Sequence, residues 1–266
     1  MPFTATHIAA VLPIAWLLRW NVPLSALAIG AMVCDLGVFF PDLFNYWTMH
    51  SVAGLVTHCL PFGFALFFLF HWLIKRPLCA LLPVAISSRL TPWIRQMPSF
   101  GVIHLLVIAG CILCGSATHV LWDSFTHYNR WGTEQFPVLN GVVMEFEGKV
   151  VYWYTVLQHG SSVVFLPILF VVASVWMRRQ KTMVDNGLSK LPLAVKAIAA
   201  ASLVCIPVLS YLYCRLHYPW ASHYTVIHEA VKLACTLLIL EVLFYGLAYS
   251  LMEYNLNDKE SVERNP

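Results

Sequence analysis

"GVIHLLVIAGCILCGSATHVLWDSFTH", residues 101–127, carries two messages in one helix-length run. Its first seventeen residues are mostly apolar, and about 20 such residues in an α-helix cross the ~30 Å hydrocarbon core of a bilayer. Its last ten residues place His119, Asp123 and His127 at steps of four. On a helix, residues four apart share one face. A membrane-crossing helix that ends in a His-Asp-His column is either a metal site or polar trim at a membrane surface.

The rest of the chain decides the first half of that reading. Of 266 residues, 59% are hydrophobic and only 11% charged, against roughly 25% charged in a soluble domain. Too few charges remain to coat a water-facing surface. Further apolar runs stand at 8–19, 22–40, 51–74, 158–177, 193–214 and 229–251, beside 101–124. The expectation is an all-α polytopic membrane bundle with about six to seven hydrophobic helices. One integral-membrane domain covers 1–252, and a polar tail covers 253–266. The first two runs pair as a helical hairpin turning at "RWNVP", and 77–90, interrupted by Pro83, reads as interfacial.

A net charge of +3 and the lack of a basic stripe give no sign of nucleic acid. The eight cysteines lie mostly in apolar runs, and the single C-x-x-C of Cys111 and Cys114 lacks the second pair of a zinc ribbon. "MPFTATH" has no basic region before an apolar core, so no cleavable signal is evident. "HEAVK" at 228–232 lacks the second His of a zincin, and no G-x-S-x-G is present.

Basic residues accumulate on the cytoplasmic side of membrane proteins. With alternating spans, Arg19, Lys75, Arg76, Arg89, Arg95, Arg178, Arg179, Lys181, Lys190, Lys196, Lys259 and Arg264 fall on one side, twelve of the sixteen. That sets the N-terminus outside and the C-terminus in the cytoplasm. His7, Asp35, Asp42, His50, His119, Asp123, His127 and His159 then gather at the outer face, on a map drawn from Lys and Arg alone. Trp47, Trp131, Tyr152, Trp153 and Tyr154 fit an interfacial belt there.

An ionised Asp inside a span costs roughly 2.5–3.5 kcal/mol on insertion scales unless a partner or ion offsets it. Histidine and carboxylate are the ligand set of zinc and similar divalent ions, which activate a bound water. The candidate ligands are His7, Asp42, His50, His119, Asp123, His127 and His159. Asp35 or Asp42 would accept the proton, and Asp35 could instead brace a histidine from behind. Each residue also has a bland reading: His7 as an interfacial anchor, Asp42 as a Pro-Asp turn residue, His50 as a neighbour of the helix cap Ser51.

"MPFTATHIAAVLP", "GAMVCDLGVFFPD", "HSVAGL", "THVLWDSFTH" and "LQHGSSVV" together resemble the bacterial domain-of-unknown-function 4184 family of multi-pass inner-membrane proteins, over about residues 1–180. More distantly the order of motifs is similar to membrane-bound metal-dependent hydrolases, and through them to zinc-dependent phospholipase C. That resemblance implies His7 as the early ligand, Asp42 or Asp35 as the bridging acid, His50 next, and His119 with Asp123 as the central pair. His127 would follow and His159 would come last, although Val163 stands where a late Glu would be. It implies a metal-dependent hydrolase at the periplasmic face, acting on a phosphoester or lipid-like substrate amid membrane lipids. The alternative is a non-enzymatic ion- or proton-handling bundle or an assembly scaffold with a structural His/Asp cluster.

Overall fold

The computed structural model describes residues 3–146, 149–183 and 191–264. Lys190 and the last two residues of the polar tail lie outside them. The architecture is helical, as the solvent demands: with no water in the hydrocarbon core, a spanning segment must satisfy its own backbone. A 3-10 turn at Thr4–His7 leads into α1 (Ile8–Leu17), followed by α2 (Leu24–Val33). The longer helices are α3 (Val52–Leu81), α4 (Val84–Arg95), α5 (Val102–Thr126), α6 (Trp153–Arg179), α7 (Leu193–His217) and α8 (His223–Arg264). Short helical turns at Leu36–Phe39, Tyr46–Met49 and Trp131–Gln135 fill the connections. The one sheet among the described residues is an antiparallel ribbon of β1 (Val142–Phe146) and β2 (Lys149–Tyr152).

Five helices are long and apolar enough to cross a bilayer: α3, α5, α6, α7 and α8. The chain is therefore a multi-pass membrane protein. The first two apolar runs are shorter as helices. At ~1.5 Å per residue, ten-residue α2 extends about 15 Å, half the bilayer core. The turn between α1 and α2 is tight because Arg19 and Trp20 adopt left-handed backbone, with φ of 52° and 59°. Pro83 caps the start of α4, so the 77–90 stretch is a helical break.

By internal packing the chain falls into two compact units, residues 1–67 with 99–178, and residues 68–98 with 179–266. In the second unit, buried Lys75 donates to the carbonyls of Trp93 and Gln96, and Tyr245 donates to the carbonyl of Pro77. In the first unit α2 and α5 touch backbone to backbone. A Cβ on Gly115 would sit 2.3 Å from the Leu27 carbonyl oxygen, and one on Gly30 would sit 2.3 Å from that of Ile112. Small residues are how membrane helices approach this closely. Ser116 adds a hydroxyl bond to the Gly30 carbonyl at 3.1 Å. Beneath the polar end of this crossing lies an apolar floor of Val33, Cys34, Met49 and Cys59.

Candidate metal centre

The α2–α5 crossing aligns the end of one helix with the last turns of the other. The Ala31 carbonyl, in the last turn of α2, accepts from His119 Nδ1 at 2.7 Å. His50 follows the short turn at Tyr46–Met49, where Asn45 caps the helix start by accepting from the Thr48 amide. His50 Nδ1 donates to the Tyr46 carbonyl at 2.9 Å. In both histidines the Nδ1 proton is committed to a backbone acceptor. In the neutral ring that selects the tautomer whose Nε2 is free to bind an ion.

Those two Nε2 atoms face each other at 3.3 Å. Asp35 Oδ1 lies 3.7 Å from His50 Nε2 and 3.6 Å from His119 Nε2. Asp123 Oδ2 lies 3.5 Å and 3.4 Å from the same two nitrogens. All four side chains are buried. Asp35 is held in this pose from behind, because the Thr4 hydroxyl donates to its other oxygen, Oδ2, at 2.6 Å.

Two imidazole nitrogens and two carboxylates thus converge on one buried point. Asp35 Oδ1 and both oxygens of Asp123 are buried and have no hydrogen-bond partner. Buried polar groups are almost always satisfied, and an unpaired buried carboxylate costs several kcal/mol. The separations themselves fit a shared cation. Ligands bonded at about 2.0–2.2 Å to a tetrahedral ion lie about 3.3–3.6 Å from one another. The five distances, 3.3 to 3.7 Å, are of that size. Asp35, His50 and His119 together have the spacing of ligands to one zinc-like ion, with Asp123 beside both histidines.

The second oxygen of Asp123 faces elsewhere. His7 Nε2 and His127 Nδ1 each lie 3.6 Å from Asp123 Oδ1. The His7 ring stacks on His119 with centroids 3.8 Å apart, and His7 Nδ1 is buried without a hydrogen-bond partner. His7, His119 and Asp123 form a second group with the spacing of ion ligands, and His119 is common to both groups. His127 is engaged differently. The Gln158 amide donates to His127 Nε2 at 3.0 Å, and its Nδ1 lies 3.2 Å from the Asp123 carbonyl. Burial holds this imidazole below its ordinary pKa, so it is neutral and donates from Nδ1. In this arrangement His127 steadies Asp123.

Five of the sequence-predicted residues, His7, His50, His119, Asp123 and His127, meet here together with Asp35. Two are placed elsewhere. Asp42 is exposed in the turn after Leu36–Phe39, and Asp35 takes the acidic position at the cluster. His159 is exposed on α6, and the neighbouring Gln158 takes the inward place. Gln158 and Ser161 are the buried positions of that helix, one turn apart. Neither Thr4 nor Gln158 was expected from the sequence. Thr4 lies in the quoted "TATH" and Gln158 in "LQHGSS", where each polar residue stands three or one position from a histidine.

Above the cluster sits Arg130. Its guanidinium lies 4.6 Å from the Trp47 ring centroid and 5.6 Å from that of Tyr46. The Tyr46 ring in turn packs on His50 at 4.1 Å. Burial pushes the Tyr46 phenol up to about 12, so it keeps its proton. Arg130 Nη2 is buried with no hydrogen-bond partner.

Fold and site together define a polytopic helical membrane protein with a buried His/Asp cluster at one end of its first unit. The chain belongs to the family described as domain of unknown function DUF4184, whose profile matches residues 1–251. Comparison with curated proteins and with solved structures finds no match.

Proposed function

We propose that the chain is a membrane-embedded, metal-dependent hydrolase of the bacterial inner membrane, with its centre at the periplasmic face and a phosphoester or lipid-like substrate. The observation that carries this reading is the pair of Nε2 atoms 3.3 Å apart, flanked by two buried carboxylates at 3.4 to 3.7 Å. A divalent ion held there supplies Lewis acidity toward a phosphoryl oxygen and lowers the pKa of an attacking water.

The chain's own residues divide the remaining work. Asp35, steadied by Thr4, and Asp123, steadied by His127 and Gln158, hold the charge of the site in place. Asp35 stands beside both histidine nitrogens and is the acid suited to accept a proton from the attacking water, and His7 stacks on His119 from the other side. Arg130, packed on Tyr46 and Trp47, has a buried Nη2 without a hydrogen-bond partner, suited to an anionic substrate oxygen. The concentration of polar groups at one end supports a site in preference to a conduit, which needs such groups through the membrane depth.

The test is elemental analysis of detergent-purified protein beside His119→Ala, followed by phosphodiester turnover with and without a chelator. About one or two zinc-class ions per chain are expected in wild type, lost in the variant together with turnover. A metal-free wild type of normal stability would make the cluster a proton-sharing network and end the hydrolase reading.

A further inference from the structure

The connection between α5 and α6 is built for a surrounding other than water. α5 ends at Thr126 and α6 begins at Trp153, and both helices are able to cross a bilayer. Both ends of the connection are therefore pinned at one membrane surface. Between them the chain exposes Tyr128, Trp131, Phe136, Val138, Val142 and Met144. In the ribbon, Val142, Val143 and Met144 are exposed in succession on β1, and Val150, whose partner is Glu145, is exposed on β2. A strand with one face on a core and the other in water alternates apolar with polar residues. Here both faces are apolar, and Glu145 is the one charged residue among the strand side chains described. A two-stranded ribbon is marginal in water even with a well-patterned face.

The same connection is tied to the candidate metal centre. Thr133 donates its hydroxyl to the His127 carbonyl at 3.0 Å, and Asn140 donates to the Thr133 carbonyl at 2.8 Å. Arg130 covers Tyr46 and Trp47. Ribbon, bracing turn and cluster thus form one continuous piece. Its apolar outer surface runs directly into α6, whose spanning stretch is almost wholly exposed and so faces lipid. Exposed Tyr and Trp beside such a surface are the side chains of the headgroup level.

We propose that the Tyr128–Trp153 connection lies in the headgroup–acyl boundary of the leaflet next to the cluster, and that the centre draws its substrate from lipid in that leaflet. Elements of this kind settle about 5–10 Å deep. The placement stands on the ribbon alone. The substrate source rests on the hydrolase reading above.

Placement is tested with single cysteines at Val143 and Val150, in a background without other reactive cysteines, labelled with an environment-sensitive fluorophore. The protein is reconstituted in phosphatidylethanolamine/phosphatidylglycerol vesicles. Lipid-borne doxyl groups should quench both labels several-fold more strongly than aqueous iodide. Quenching by iodide alone would put the ribbon in water, and quenching by neither would put it against protein, such as a second copy of the chain. Either result overturns the placement. The source is tested with a Val143→Asp/Met144→Asp variant on two substrates, vesicle-borne phosphatidylglycerol and a soluble short-chain phosphodiester. Turnover of the vesicle lipid should fall at least tenfold, with metal content and soluble turnover within twofold of wild type. Equal effects on both substrates, or on neither, refute lipid delivery. A wild type without metal or turnover on either substrate refutes the hydrolase reading itself, while the quenching result still decides where the ribbon lies.

Discussion

Gly115→Ala is the smallest change that should disarm the centre without touching a candidate ligand. The new Cβ would sit 2.3 Å from the Leu27 carbonyl oxygen and 2.7 Å from the Ala31 nitrogen. Ordinary contact begins near 3.4 Å, so the backbone of α2 must withdraw from α5 by about 1 Å. That displaces Ala31, whose carbonyl orients His119, and with it Asp35 just beyond the helix end. Overpacking of this kind costs about 1–3 kcal/mol. Metal sites tolerate about 0.2 Å in their bond lengths. A shift of five times that should therefore cost more affinity than the ~10–100-fold typical of a lost supporting contact. Metal content after dialysis against a graded chelator, and the melting temperature in detergent, would measure both terms. Gly110→Ala, where an added Cβ meets nothing within 4 Å, serves as the control on the same helix. If Gly115→Ala matched that control in both metal content and melting, the close crossing would not be what sets the site.

Other expectations follow from the same geometry. His119→Ala and Asp123→Ala should each lower metal affinity by at least ~10–100-fold, whereas Asp42→Asn and His159→Ala should leave metal content at the wild-type level; a loss in the exposed pair equal to that in the buried pair would reject the centre as drawn. Gln158→Ala frees His127 and should weaken metal retention without abolishing it, which a competition titration would read. Because ligand histidines must be neutral to bind, occupancy should fall progressively on acidification; a metal content independent of pH down to the acid limit of folding would argue against imidazole ligation. For topology, a cysteine in place of Gln135 should react with a membrane-impermeant thiol reagent in intact cells, and one beside Arg178–Arg179 should not. The reverse pattern would turn the cluster toward the cytoplasm and exclude a periplasmic substrate.

The residues that gather at the cluster were legible where chemistry and spacing coincide. His119 and Asp123 sit four apart on an unbroken helix, so their shared face needs only the helical repeat. Asp35 and His50 stand out because a carboxylate or imidazole within apolar sequence needs a partner. The phase of α6 was not legible. The helix starts at Trp153, directly after β2, and a residue on a helix is turned about 100° from its neighbour, so Gln158 enters while His159 leaves. The choice between Asp35 and Asp42 depended on the chain leaving its helical turn at Phe40, which carries Pro41 and Asp42 outward. The Ala31 and Tyr46 carbonyls, which set both tautomers, have no sequence signature because every residue has one. The first hairpin was legible, because "RWNVP" marks the turn that left-handed Arg19 and Trp20 make. Its second arm is shorter than the apolar run 22–40, because the helix ends at Val33 while the sequence stays largely apolar.

The contact between His119 and the Ala31 carbonyl joins residues 88 positions apart in the chain. At a synthesis rate of about 5–20 residues per second, the ribosome needs on the order of 4 to 18 s to supply the later partner. Throughout that interval Asp35 is present and His119 is not. The α1–α2 hairpin, with arms of ten residues each, is followed by a carboxylate whose histidine partner is made later. Settling inward before α5 arrives would bury that carboxylate without His119. The expected consequence is an order of assembly in which the first hairpin reaches its final depth only once α5 is there to hold it.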